Sequence, residues 1–489
     1  MDRYYFIGIG GTAMASVAAA LRRTGAHVRG SDAGVYPPMS GFLDDEGVIY
    51  HASFDATHIT AACDEADAAG IPPPLFVIGN AISRGNVELE AVLTARLRHT
   101  SMAALVGERL IGRATSLVVT GTHGKTTTAS LAAWVLECAG RGPGFLIGGI
   151  PVNFGEGCRP AAPGTGKPGA PQVPAEAVFV SEGDEYDTAF FDKRSKFVHY
   201  HPDIAIINNI EFDHADIFAS VEEVERAFRH MAVLIPGDGL LVANGDDARA
   251  RAVAADAHTQ VQLFGQDERC DWRLGEVTVG ANSTRFDVTC RHDAAWSGRW
   301  QVALTGAFNA RNALGVIAAC ARLGLAPDEV RAGLESFAGV RRRMDVIGET
   351  GGITVVDDFA HHPTAIRETL AAAAARWPGR RLVALFEPRS NTTTRSIFQR
   401  ELAEALSGAS VVVVGAVNRA DRYAEAERLS VTQLLGDLSA AGVDAMHLPD
   451  ADAMVARVRG LARPGDVIVF LSNGAFGGAH GKLMDALRG

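Results

Sequence analysis

A chain of 489 residues, 47% hydrophobic and 21% charged, has a globular composition and is too long for one ordinary core, so its length predicts about three domains. The formal net charge of −11 excludes a general binder of nucleic acid or of anionic membrane, but not a local positive pocket for a small anion. The six cysteines (Cys63, Cys138, Cys158, Cys270, Cys290, Cys320) are dispersed without a CxxC pair, no apolar run is long enough to span a bilayer, and no leader pattern opens the chain, which together predict a cytoplasmic protein with reduced thiols.

Taken in order, apolar runs alternate with helical patterns: Tyr4–Ile9, a helix over Thr12–Arg23, then His27–Gly30 and Leu75–Ile78. A second series runs through Leu117–Thr120, Val178–Val180, Ile204–Ile207 and Leu240–Val242, and a third through Ile353–Val356, Leu382–Phe386, Val411–Val414 and Val467–Leu471. This rhythm predicts an α/β fold of parallel sheets with crossover helices, divided as residues 1–106, 107–336 and 337–489. Gly339-Val340-Arg341-Arg342-Arg343 at the second boundary reads as a charged hinge. Half of the residues in Gly155–Pro174 are Gly or Pro, which predicts a surface loop with neither packed helix nor strand.

The first motif is Gly8-Ile9-Gly10-Gly11-Thr12-Ala13-Met14, with Gly30-Ser31-Asp32 ending the next strand. Gly8, Gly10 and Ala13 satisfy G-x-G-x-x-G/A, and Asp32 lies where a ribose-binding acid belongs. Alone, this pattern suits an NAD-dependent oxidoreductase, any nucleotide diphosphate beside a helix N-terminus, or a tight strand-to-helix turn and nothing more.

The strongest motif is Thr120-Gly121-Thr122-His123-Gly124-Lys125-Thr126-Thr127-Thr128, which links an apolar strand to a helical pattern. Backbone N–H groups and the helix dipole favour an anion there, Lys125 adds a point charge, and Thr126 offers a hydroxyl to magnesium. Val119 stands where the general phosphate-loop pattern has glycine, so the loop is a shorter variant.

Acids follow at a neighbouring strand end, in Ser181-Glu182-Gly183-Asp184-Glu185-Tyr186-Asp187. Strand ends of a parallel sheet face the ligand crevice, and magnesium takes one or two carboxylates besides phosphate oxygens, which makes Glu182 the candidate ligand. Glu185 and Asp187 fit a solvated acidic loop better. Asn208-Asn209-Ile210-Glu211-Phe212-Asp213-His214 leaves a third strand, placing His214 for a metal or phosphate role. In Gly306-Ala307-Phe308-Asn309-Ala310-Arg311-Asn312, paired amides can read the N6 and N7 edge of adenine, and Asn309 could also cap the helix. In Asp357-Asp358-Phe359-Ala360-His361-His362-Pro363, an acid can hold ribose hydroxyls and a histidine can reach phosphates, with Pro363 opening a helix.

The five elements from the phosphate loop onward, in this order and spacing, resemble the Mur ligase superfamily of peptidoglycan synthesis, and the resemblance covers essentially the whole chain. The resemblance implies a Rossmann-like UDP-binding domain, a central P-loop ATPase domain and a C-terminal Rossmann-like domain. It also implies an ATP- and magnesium-dependent ligase that converts a carboxylate to an acyl phosphate before an amine attacks. The N-terminal motif points to the branch that uses UDP-N-acetylmuramate. Asp184–Phe197, Phe386–Thr392 and Ser472–Gly478 resemble the members that attach the recovered tripeptide L-Ala-γ-D-Glu-meso-diaminopimelate, rather than those that add free L-alanine. No lysine lies between Lys196 and Lys482, so the carbamylated lysine of several sister ligases cannot arise after His214.

By resemblance, Gly121, Thr122, His123, Gly124, Lys125, Thr126 and Thr127 hold phosphates, Thr126 and Glu182 hold one magnesium, and His214 holds a second. Asn309 and Asn312 hold adenine, Asp358 ribose, and Arg343 and His361 phosphates. Gly8, Gly10, Gly11, Thr12, Asp32, Asn80 and Ser83 hold the UDP-sugar, while Arg389, Asn391, Asn418, Arg419 and Asn473 are the peptide candidates. An oxidoreductase would leave the phosphate loop idle, and a nucleotide sensor on the same fold would bind without turnover.

Overall fold

The structure, a computed structural model, describes residues 2–36, 39–161 and 177–488, and the chain forms two compact units. The first comprises Met1–Ile210, Glu222–Asp271 and Gly315–Gly333; the second comprises Glu211–Val221, Trp272–Leu314 and Leu334–Gly489.

Two parallel sheets build the first unit. In one, the strands run in the order Ile49–His51, His27–Ser31, Arg3–Ile7, Leu75–Ile78, His99–Ser101. Tyr4 to Ile7 are buried on both faces, as a central parallel strand requires. The chain steps outward to one side and then to the other, so the switch point lies between Arg3–Ile7 and Leu75–Ile78. Gly8 (φ +91°) turns the chain there into the helix Thr12–Arg23, and Gly8 and Ile9, expected in the strand, belong to that turn. The edge strands Ile49–His51 and His99–Ser101 carry too little apolar pattern to be read from sequence.

The other sheet orders Gln260–Gly265, Leu240–Asn244, Ile204–Ile207, Thr115–Thr120, Val178–Gly183 and Gly144–Leu146 as parallel neighbours. Cys158–Arg159 pairs antiparallel with Phe145–Leu146 at its edge. This corrects the expectation that Gly155–Pro174 contains no strand. Buried Cys158 and the Arg159 guanidinium, which lies over Phe154 at 4.9 Å and pairs with Glu137 at 2.6 Å, anchor the chain before the remaining part, 162–174, passes outside the described residues.

Gly107 packs so closely on the carbonyl of His199 that an added Cβ would lie 2.0 Å from that oxygen. Gly107→Ala is expected to destabilise the protein by at least about 2 kcal/mol, because a backbone rather than a flexible side chain must move. Thermal unfolding of the variant checks this; an unchanged midpoint would refute the close approach.

The second unit contains an antiparallel set, Trp272–Val279, Thr284–Cys290 and Gly298–Val302, with Trp272, Leu274, Phe286, Val288, Trp300 and Val302 alternating inward. Its six-stranded sheet runs Asp345–Thr350, Ile353–Asp358, Val467–Leu471, Leu382–Phe386, Val411–Val414, Asp444–His447, parallel except for the first strand. Of the four central strands, Val467–Leu471, Leu382–Phe386 and Val411–Val414 are apolar throughout, and all four, Ile353–Asp358 included, are buried under helices on both faces. Asp357 and Asp358, expected beyond the strand, are its last two residues.

Candidate active site

Strand Thr115–Thr120 delivers the phosphate loop to the helix Lys125–Cys138. Gly121 has φ +136° and a Cβ there would meet Asn208 Cβ at 3.0 Å, while Gly124 caps the helix in the left-handed region (φ +77°), so both positions need glycine. Among the described residues no side chain caps that helix at Gly124, and its positive end favours an anion. The loop is held from the adjacent strand end: Asn209 accepts from the His123 N–H at 2.8 Å through Oδ1, and its carbonyl accepts from the Thr122 N–H at 3.1 Å. Asn208 Nδ2 donates to Thr128 Oγ1 at 3.0 Å.

Lys125 Nζ folds back over the loop and donates to the Gly121 carbonyl (2.7 Å) and to Glu185 Oε2 (2.9 Å). Thr126 Oγ1 donates to Glu182 Oε1 at 2.8 Å, and the Gly148 N–H donates to Glu182 Oε2 at 2.7 Å. Asp184 pairs with Lys196 at 3.1 Å, and the Lys196 ammonium lies 4.1 Å from the centre of the Tyr186 ring. Register explains the assembly: Glu182 is level with Val119 on the neighbouring parallel strand, two residues before the loop begins at Gly121.

Three carboxylates therefore face two ammonium groups. Burial, then Asp184, pushes the Glu182 carboxyl above its usual range; Asp184 lies below its own because Lys196 and Lys125 outweigh its burial. Burial also disfavours the Lys125 ammonium, yet Glu185 and Asp184 overcome it and hold the amine above the ordinary lysine range. A hydroxyl and an excess carboxylate at a dipole's positive end form a hard oxygen donor set that fits magnesium together with phosphate.

Glu185 is the residue that sequence reasoning misplaced. Expected in a solvated acidic loop, it is buried against Lys125, with a side chain 2% exposed. Asp187 is also partly covered and pairs with Lys193 at 2.6 Å. No local pattern separates these two acids from their neighbours. The hairpin Asp187–Ala189 with Asp192–Ser195, whose Ser195 hydroxyl donates to the Glu185 carbonyl, is what turns Glu185 inward.

In the same unit, the glycine turn at Gly8–Gly11 is closed by Asp32, whose Oδ2 accepts from the Gly10 N–H (2.9 Å) and whose Oδ1 accepts from the Gly34 N–H (3.2 Å). Gly11 and Thr12 are exposed at the helix start, and Asn80 and Ser83 are exposed just after strand Leu75–Ile78, on the other side of the switch point.

The second unit carries the other expected residues. His214 adopts φ +53°, and the neighbouring Asp213 is buried, accepting from Thr392 Oγ1 at 2.7 Å and lying 3.8 Å from His361 Nε2. Although burial works against it, the His361 and His214 imidazoles hold the Asp213 carboxyl well below its usual range. Asn309 Nδ2 donates to the Thr305 carbonyl (2.9 Å) and Asn312 Nδ2 donates to Asn309 Oδ1 (3.2 Å), so the two amides do pair. The Asn309 side chain thus donates backwards to a carbonyl, whereas a cap would accept from a helix N–H.

Asp358 accepts from Met344 N–H (2.7 Å), Ala360 N–H (2.8 Å) and Thr369 Oγ1 (3.3 Å). Three of a carboxylate's roughly four acceptor positions are taken, so a ribose hydroxyl could meet only the last. Arg343 lies over the Phe359 ring at 4.6 Å. Among the peptide candidates, Arg389 is exposed 3.6 Å from Glu387, and Gly474 packs directly on its side chain. Asn418 N–H donates to the Pro388 carbonyl (3.0 Å), Asn391 is partly buried, Arg419 is exposed, and Asn473 Oδ1 is buried with no hydrogen-bond partner among the described residues.

Among the described residues, no helix is long and apolar enough to cross a membrane. Residues 3–112 match the family model described as Mur ligase family, catalytic domain; 119–320 match the Mur ligase middle domain; and 342–474 match the Mur ligase, glutamate ligase domain. The chain is 38% identical to the UDP-N-acetylmuramate--L-alanyl-gamma-D-glutamyl-meso-2,6-diaminoheptandioate ligase of Escherichia coli (strain K12), over 99% of this chain and 98% of that protein. It is 34% identical to the UDP-N-acetylmuramate--L-alanine ligase of Roseiflexus sp. (strain RS-1), over 99% of each. The crystal structure of a murein peptide ligase from Psychrobacter arcticus 273-4 superposes with a TM-score of 0.74 at 34% identity, covering 100% of this chain and 99% of that one. Likeness that runs through all three segments at this identity shows common descent, and the chain belongs to the Mur ligase family.

Proposed function

We propose that this chain is an ATP-dependent amide ligase that joins L-Ala-γ-D-Glu-meso-diaminopimelate to UDP-N-acetylmuramate, returning recovered peptide to cell-wall synthesis in the cytoplasm. The observation that carries the reading is the full-length identity of 38% to a relative named for that reaction, with Lys125, Thr126 and Glu182 converging at the phosphate loop. Domain limits at 1–106, 107–336 and 337–489 follow from the same reading.

A muramoyl carboxylate is a poor electrophile until a phosphoryl group makes its oxygen a leaving group. Phosphoryl transfer needs positioning and charge neutralisation more than covalent help. Lys125 takes the β- and γ-phosphates, with the first helical turn behind it. Thr126 and Glu182 would hold magnesium, which neutralises phosphate charge when bound. The alanine amine of the tripeptide then attacks the acyl phosphate, and phosphate leaves. In the second unit His214 is assigned to a second magnesium, Asn309 and Asn312 to adenine, Asp358 to ribose, and Arg343 and His361 to phosphates. Gly8, Gly10, Gly11, Thr12, Asp32, Asn80 and Ser83 are assigned to UDP-sugar. Arg389, Asn391, Asn418, Arg419 and Asn473 are assigned to peptide, Arg389 by its capacity for bidentate carboxylate pairing.

The test is a parallel incubation with UDP-N-acetylmuramate, ATP and magnesium, adding either the tripeptide or L-alanine, and following phosphate release and product mass. Tripeptide product is expected. Preference for free alanine would move the chain to the alanine-adding branch, and absence of turnover with both would leave a nucleotide sensor.

A further inference from the structure

Lys125 and Glu185 form a buried ion pair that the phosphoryl-transfer reading does not use. The Lys125 side chain is 10% exposed and the Glu185 side chain 2%. An ammonium has three N–H donors. Here one reaches Glu185 Oε2 at 2.9 Å and another the Gly121 carbonyl at 2.7 Å, so the group expected to grip phosphate is engaged by its own loop and an acid. Glu185 is held firmly in that position. Its carbonyl accepts from Ser195 at the base of the hairpin, where Asp187 pairs with Ser195, and Thr188 Oγ1 crosses to the Arg194 carbonyl at 2.8 Å. Asp184, one residue away, is neutralised separately by Lys196.

We propose that Glu185 is a positioning residue that holds the Lys125 ammonium and is displaced from it by the terminal phosphates of ATP. The inference rests on the ATP-binding reading of the loop and adds a step to it. A phosphate oxygen within hydrogen-bond distance of Nζ comes to within about 6 Å of the Glu185 carboxylate, where like charges in a partly buried site repel strongly. Binding therefore requires Lys125 to exchange one anion for another. The carboxylate holds the buried amine in place, at the expense of ATP affinity.

The sign of the effect separates this role from a merely structural one. Glu185→Gln removes the competing charge and keeps the side-chain volume, so the Kd for ATP with magnesium, measured by calorimetry on the full chain, is expected to fall about tenfold. Glu185→Asp keeps the charge and is expected to stay near the wild-type Kd. An unchanged or raised Kd in Glu185→Gln would overturn the proposal, because a structural acid can only loosen the loop when removed. If that variant does not fold, a crystal structure of the wild-type protein with a non-hydrolysable ATP analogue decides. Nζ on phosphate and beyond hydrogen-bond range of Glu185 supports the exchange, and a retained Lys125–Glu185 contact refutes it. Failure of the wild-type protein to bind ATP would instead remove the functional reading, and this inference with it.

Discussion

Lys125→Ala is expected to lower the rate of phosphate release by roughly 10²–10³-fold while leaving the fold intact, the loss typical of one preorganised electrostatic group, about 2–4 kcal/mol. The Lys125 side chain lies along the loop and ends on Glu185 and the Gly121 carbonyl. Truncation leaves Glu185 buried without that cation, so some loss of stability will accompany the loss of rate, and circular dichroism must show folded protein before rates are compared. Single-turnover measurement of acyl-phosphate formation, trapped as its hydroxamate, locates the defect in the first chemical step. Near-normal phosphate release from a folded variant would remove Lys125 from the reaction.

Glu182→Gln is expected to abolish measurable turnover at ordinary magnesium concentration, with recovery only in part at high concentration. Two effects act together. The amide carries no charge for the metal, and its NH2 group cannot accept the Gly148 N–H that Glu182 Oε2 accepts now. Either the amide turns, which breaks the acceptor contact with Thr126 Oγ1, or two donors face each other. The magnesium dependence of the rate separates metal from scaffold. A carboxylate that only braces Gly148 would change stability and leave that dependence unaltered, and such a result would end the metal assignment.

Much of the site was legible because local chemistry carries it. A strand, glycines at Gly121 and Gly124, a lysine and a helix form a contiguous pattern whose backbone angles only glycine adopts readily. The same holds for Gly8 at the first strand end and for Pro363 opening a helix capped by His362. What stayed hidden depends on partners far along the chain. Glu185 meets Lys125 across 60 residues, Asn209 reaches the His123 amide across 86, and Asp213 receives Thr392 across 179. In each case a run of similar polar residues offers several candidates, and only the register of the sheet or hairpin selects one. The strand Cys158–Arg159 was invisible for a related reason. Two residues have no period, and this pair is strand because Phe145–Leu146 supplies hydrogen-bonding partners.

The sequence by itself determined the α/β class, the order of the parallel strands' apolar cores, the phosphate loop with Lys125 and Thr126, and Glu182 at a neighbouring strand end. Those properties follow from hydrophobic periodicity and from backbone conformations that few residues tolerate. Only the tertiary structure decided which acid Lys125 faces, how Asn209 clamps the loop, and that Asp358 is already hydrogen-bonded on both oxygens. Coulombic and hydrogen-bond contacts are set by distances of a few ångströms between residues that the chain alone leaves anywhere, and those distances come into being only when the sheets pair in register.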